Sequence, residues 1–120
     1  MDPLFIIPDE EKEFYSSERC HILELLNNDD RSHSIARARV QAGVTTVWHR
    51  LLNTSESYYI ISGKGLMELG EKTADNVEAG SLIKIPPGTA QRITNTGDED
   101  LIILCICVPA FGPEIYESLE

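Results

Sequence analysis

Apolar and polar positions alternate along this chain in short runs, and clusters of turn formers cut the runs about every ten residues. Those clusters fall at residues 27–30, 42–43, 53–55, 63–65, 70–71, 79–80, 86–88 and 96–100. Between them lie segments rich in Val, Ile, Leu and Tyr. The pattern predicts strands near residues 20–27, 32–41, 45–52, 56–62, 65–69, 74–78, 82–85, 89–96 and 100–108. Short strands at this spacing predict an all-β sandwich or barrel. Residues 10–18 lack a clean apolar stripe and read as a turn or short strand. The tail, 109–120, holds two prolines and a glycine and reads as an irregular arm anchored by Phe111, Ile115 and Tyr116. The expected organisation is one domain over 1–120, with a core at about 20–108, an N-terminal arm 1–19 and a C-terminal arm 109–120.

Period-two alternation assigns faces. Glu56, Tyr58 and Ile60 share one face of their strand, and Tyr59 and Ile61 share the other. Val47, His49 and Leu51 fall together, as do Thr89, Gln91, Ile93 and Asn95. Lys84 belongs outside, which sends Ile83 and Ile85 inward. The last strand is apolar on both faces, so an outer surface carrying Tyr59 and Ile61 gains further apolar groups. A partner sheet or second subunit would cover them, which predicts a homodimer. Arg37 and Arg39 alternate with Ala36, Ala38 and Val40. Inside a barrel the arginines would form an anion-binding wall; outside they would be solvated or touch a dimer partner. The outward placement is the expected one, because Arg is seldom buried. Small Ala36 and Ala38 then leave room inside for a ligand.

Composition narrows the function classes. The chain has 120 residues, 42% hydrophobic and 25% charged, with a net charge of −10. Such acidity disfavours nucleic acid and anionic membrane surfaces as partners. The apolar run Leu4–Ile7 is too short for a secretory core, and no run approaches the ~18 residues of a membrane span, so a cytoplasmic location is expected. Three cysteines, Cys20, Cys105 and Cys107, make no disulfide framework and read as buried free thiols rather than a metal or redox pair. No phosphate-binding glycine loop and no G-x-S-x-G elbow is present. Cys20 and His21 are adjacent on a strand and face opposite ways, so they make no dyad.

Two glycine-framed segments carry the remaining chemistry. One runs from Gly43 through His49 and Glu56 to Gly63, the other from Gly80 through Pro86 and Gly88 to Gln91 and Asn95. Together they resemble the signature motifs of the cupin family, G-x5-H-x-H-x4-E-x6-G and G-x5-P-x-G-x2-H-x3-N. Leu51 and Gln91 stand where those motifs carry two of their histidines. The resemblance implies an antiparallel jelly-roll barrel, a double-stranded β-helix, with a small-molecule ligand inside. It implies a divalent metal ion (Zn, Mn, Ni or Fe) held by His49, Glu56 and Gln91, a weaker set than three histidines. Such a metal would serve as a Lewis acid, with Glu56 as general base if unligated and Tyr58 meeting the substrate. An isomerase, cyclase or lyase acting on a sugar or carboxylate fits this set better than oxygen chemistry. The alternative is a metal-free cluster of His49, Glu56 and Gln91 in a small-ligand-binding or regulatory protein without catalysis. His21 and His33 lie outside the motifs, and Trp48, facing away from His49, reads as packing.

Overall fold

The computed structural model describes residues 3–27, 29–71 and 73–120; of the turn expected at 27–30, Asn28 lies outside this set. The strands are β1 Phe14–Tyr15, β2 His21–Asn27, β3 Ser34–Val40, β4 His49–Leu51, β5 Ser55–Ser62, β6 Lys64–Leu69, β7 Thr73–Glu78, β8 Leu82–Ile85, β9 Gln91–Asn95, β10 Leu101–Val108 and β11 Tyr116–Ser118. They form a six-stranded sheet, β1-β2-β3-β10-β5-β8, and a five-stranded sheet, β11-β4-β9-β6-β7. All pairings are antiparallel. This is the expected double-stranded β-helix. Among the described residues no helix is long and apolar enough to cross a membrane.

The core follows the alternation. Ile60 and Val40 from β5 and β3, Leu101 and Ile103 from β10, Ile85 from β8 and Ile93 from β9 are essentially fully buried. The β-branched shapes of the valine and isoleucines suit a pleated surface packed on one side. Tyr59 and Ile61 point out and are exposed. Gly63 turns β5 into β6 at φ +90, where a Cβ would sit 2.9 Å from the Asp100 carbonyl oxygen, so this corner accepts only glycine.

Two segments, 45–52 and the tail, differ from the pattern-based reading, while residues 10–18 match it. Regular strand near 45–52 is confined to His49–Leu51. Upstream, Thr46 Oγ1 accepts from the Ile93 amide at 3.0 Å and the Thr46 amide donates to the Ile93 carbonyl at 2.9 Å. Side-chain bonding thus replaces part of the ladder. Residues 10–18 hold a 3₁₀ turn, Glu10–Lys12, capped by Asp9, and then edge strand β1. The tail is less irregular than expected, because β11 pairs Tyr116 with Leu51 and Ser118 with His49. Both arms therefore extend the sheets.

β3 divides inside from outside. Ala36 and Ala38 line the interior. Arg37 bonds Glu10 at 2.6 Å and Glu13 at 3.0 Å, and Arg39 bonds Glu13 at 2.6 Å and Asp100 at 3.1 Å. The arginines face out, as expected, and strap the N-terminal arm to the sheet.

Candidate active site

A cavity of about 440 Å³ opens between the sheets. Strands β3 and β10 supply a small apolar wall, Ala36, Ala38 and Ile103. β4 and β5 supply His49, Leu51, Glu56 and Tyr58, and the two arms supply Glu18 and Tyr116 at the rim.

His49 is buried, and its Nδ1 lies 2.7 Å from the Val47 carbonyl oxygen. A carbonyl only accepts, so Nδ1 carries a proton and Nε2 is the edge turned toward other partners. Nε2 lies 3.3 Å from Glu18 Oε1. The Val47 amide donates to the Glu18 carbonyl at 3.2 Å, which holds the arm against this histidine. The Tyr116 ring stacks on the imidazole at 5.2 Å between centroids. Burial raises the Glu18 carboxyl above its usual range, and His49 partly opposes that.

Glu56 is 7% exposed. Gln91 Nε2 donates to its Oε1 at 3.0 Å, and the Cys107 thiol donates to its Oε2 at 3.5 Å. Burial pushes this carboxyl up to about 7; the Gln91 bond opposes the rise, the Glu18 charge adds to it, and the Cys107 bond opposes it again. Glu56 therefore exchanges a proton near neutrality. Tyr58 shares its face, and burial raises the phenol well above its ordinary range, so the hydroxyl stays protonated as a donor. Burial likewise raises Cys20, Cys105 and Cys107. All three are free thiols, Cys20 and Cys107 buried and Cys105 half-buried.

The donors expected to hold a metal are neighbours, with His49 opposite Gln91 across β4 and β9. As folded they do not converge on the cavity. Gln91 is fully buried, turns its amide nitrogen to Glu56, and is absent from the cavity wall. Its Oε1, the atom a cation needs, is buried and unpartnered. Leu51 fills another position that would carry a donor. No group of three or more His, Cys, Asp or Glu among the described residues is placed to hold a metal. His49 and Glu56 alone fall short of the three protein donors of a catalytic divalent site, so the residues as placed do not fit one.

Other residues take structural roles. Asn95 Nδ2 donates to the carbonyls of Val40 and Glu99, and its Oδ1 accepts from Gly97, which fixes the turn after β9. His21 packs edge-on against Tyr15, and His33 Nδ1 bonds Ser32 Oγ. Trp48 lies under the Arg92 guanidinium at 5.0 Å, away from the cavity. Glu18 is the site residue that sequence pattern did not reveal. It sits in an arm with no periodicity, and its place follows only from the Val47 pairing.

A family model described as Cupin domain matches residues 36–107. An uncharacterised protein of Methanocaldococcus jannaschii is 36% identical over 115 residues, covering 93% of this chain and 91% of that protein. Glucose-6-phosphate isomerase of Thermococcus onnurineus is 39% identical over 77 residues, which cover 61% of this chain and 40% of the isomerase. Among solved structures, Streptomyces Pac13 with uridine superposes at TM-score 0.81 and 21% identity, with 100% of this chain and 93% of that one covered. Another Pac13 structure, of what is there called a nucleoside dehydratase, gives TM-score 0.79 at 19% identity, covering 98% and 92%. At these identities the structural likeness speaks for the fold alone.

Proposed function

The chain belongs to the cupin family, and from that premise we propose that it is a small-molecule isomerase or lyase working by proton transfer in the barrel. The observation that carries this reading is Glu56. It is a buried carboxyl on the cavity wall whose proton affinity sits near neutral pH. A general base works best with its pKa near the working pH. In its ionised form Glu56 would take a proton from a carbon beside a substrate carbonyl. The electron pair of that C–H bond moves into the carbonyl, and Tyr58 donates a hydrogen bond to the oxygen that gains charge. Returning that proton to the former carbonyl carbon, while the hydroxyl proton of the carbon that lost it passes to the enolate oxygen, completes an aldose–ketose isomerisation. Expelling a β-hydroxyl completes an elimination, with the leaving oxygen protonated from the His49–Glu18 pair. The isomerase that shares part of this sequence lends support to chemistry of this kind.

The test is deuterium exchange. Wild-type protein in D₂O should incorporate deuterium into some of a panel of aldoses, ketoses and hydroxyketones, and Glu56→Gln should slow this by about 100-fold or more. No exchange by the wild type over that panel, or an unchanged rate in the variant, would sink the reading.

A divalent metal held by His49, Glu56 and Gln91 is the second reading, and the unpartnered Gln91 Oε1 is what favours it. It requires the amide to turn toward the cavity. Elemental analysis after metal supplementation tests it: stoichiometric metal in the wild type and none in His49→Ala would establish the site.

We also propose a homodimer. Tyr59, Ile61, Leu82 and Val108 are exposed on the six-stranded sheet, and the arm exposes Phe5 and Ile7. An apolar surface of this kind suits a second copy. Light scattering measures the mass directly.

A further inference from the structure

The charge of the cavity wall bears on what enters it. Three glutamates and one histidine, Glu18, Glu24, Glu56 and His49, line the cavity. No Lys or Arg does so among the described residues. The nearby cations are committed elsewhere. Arg37 and Arg39 are held outside by Glu10, Glu13 and Asp100, Arg19 bonds Glu120 at 2.5 Å, and Arg31 bonds Glu114 at 3.4 Å and the Phe111 carbonyl at 3.1 Å. One imidazole can neutralise at most one of these carboxylates. Glu56 Oε2 has only a thiol donor, at 3.5 Å, which is a weak bond. A phosphate or carboxylate placed here would be desolvated among glutamates, with no cation beyond the His49 imidazole, which already faces Glu18 at 3.3 Å.

The rest of the wall suits the opposite charge. Phe14, Tyr15, Phe111 and Tyr116 surround the rim with aromatic rings, whose faces attract cations. Ala36, Ala38 and Ile103 present an apolar wall for a carbon skeleton. Glu18 is half-buried at the rim, where an ammonium keeps part of its hydration. Glu56 lies deeper and stays free for proton transfer.

Building on the acid–base reading of this cavity, we infer that its ligand carries a protonated amine, received by Glu18 and the rim aromatics, and bears no phosphate or carboxylate. The expected charge preference also separates this chain from an enzyme handling a sugar phosphate, although such an enzyme shares part of its sequence.

Calorimetry on the full chain tests this with three probes on one skeleton: cyclohexylmethylamine, cyclohexylmethanol and cyclohexanecarboxylate. The amine should bind about tenfold or more tightly than the alcohol. The carboxylate should give no measurable binding. Glu18→Gln should bring the amine to within about twofold of the alcohol measured on the same variant. Should that variant fail to fold, raising the salt on the wild type reads the same contact: 0.5 M KCl should weaken the amine and spare the alcohol. Carboxylate binding equal to the amine, an amine no tighter than the alcohol, or no binding by any probe overturns the inference. Deuterium exchange without amine preference removes the ligand class alone. Amine preference without exchange removes the acid–base reading and leaves the ligand class standing.

Discussion

Glu13 and Glu56 are both glutamates set against the six-stranded sheet, one outside and one inside, and their proton affinities move in opposite directions. Glu13 lies on the outer face, where hydrogen bonds from Arg39 and then Arg37 hold its carboxyl down to about 2. Glu56 lies on the inner face, where burial without a cation pushes it up to about 7. The difference is one of pairing. The outer carboxylate has two guanidiniums and a share of solvent; the inner one has an amide, a thiol and little water. The sheet thus keeps a paired carboxylate outside, where it holds the arm, and a carboxyl of raised proton affinity inside. The alternation on β3 makes the sorting, since it turns Arg37 and Arg39 out and Ala36 and Ala38 in.

The largest expected effect comes from removing the inner group. Glu56→Gln should cost about 100-fold or more in deuterium exchange, and the wild-type rate should rise with pH as Glu56 ionises around 7. A rate flat across that range would separate the reaction from this carboxyl.

Next in size is the stability of the same variant. In the unfolded chain Glu56 titrates at its ordinary value of 4.5, and in the folded chain at about 7. Between these values the folded state holds the extra proton, so stability falls as pH rises through the interval and levels off above it. At pH 8 the buried charge costs about 3 kcal/mol, an order-of-magnitude figure. Glu56→Gln should therefore be more stable than the wild type at pH 8, with the gap closing near pH 4. Urea unfolding at both values measures it. Glu18 also has a raised carboxyl, so a shallower slope of the same sign should remain in the variant.

Glu13 should give a smaller effect of opposite sign. Its folded value lies below its unfolded one, so its contribution is present above 4.5 and is lost as pH falls toward 2. Glu13→Gln should lower stability at pH 7 by about 1 kcal/mol, since solvent screens the pairs, and by less at pH 3. Arm docking should weaken with it. Limited proteolysis near residue 12 would show faster cleavage in the variant, and equal rates would mean that the strap does not hold the arm.

Much of this contrast was legible before any coordinates. Alternation placed Glu56 with Tyr58 and Ile60 inside and Tyr59 with Ile61 outside, because a pleated strand leaves side chains two choices and burial decides between them. The glycine-framed segments gave the barrel and the position of His49 and Glu56. Glu18 was not legible, since it sits outside the barrel strands and meets His49 through a pairing with Val47 that leaves no periodic mark. Nor was the orientation of the Gln91 amide. Its nitrogen turns to Glu56 because a buried carboxylate needs a donor, a choice made by the neighbour and not by the strand. The order in the second half of the tail escapes the pattern for a related reason. A three-residue strand, Tyr116–Ser118, is too short for alternation to show, and only its partner β4 reveals it.

The pairing of β3 with β10 has a consequence in time. It joins Val40 to Leu101 and Ser34 to Cys107, so the central seam of the larger sheet links segments roughly sixty to seventy residues apart. Closing so long a loop is entropically costly before any contact repays it, and topologies of this kind fold in about milliseconds to seconds rather than microseconds. Ala36 and Ala38 on one strand, and Cys105 and Ile103 on the other, meet only when that seam zips. The binding wall is therefore assembled by a late, long-range event, and a nascent chain that has not yet delivered β10 has no pocket to offer.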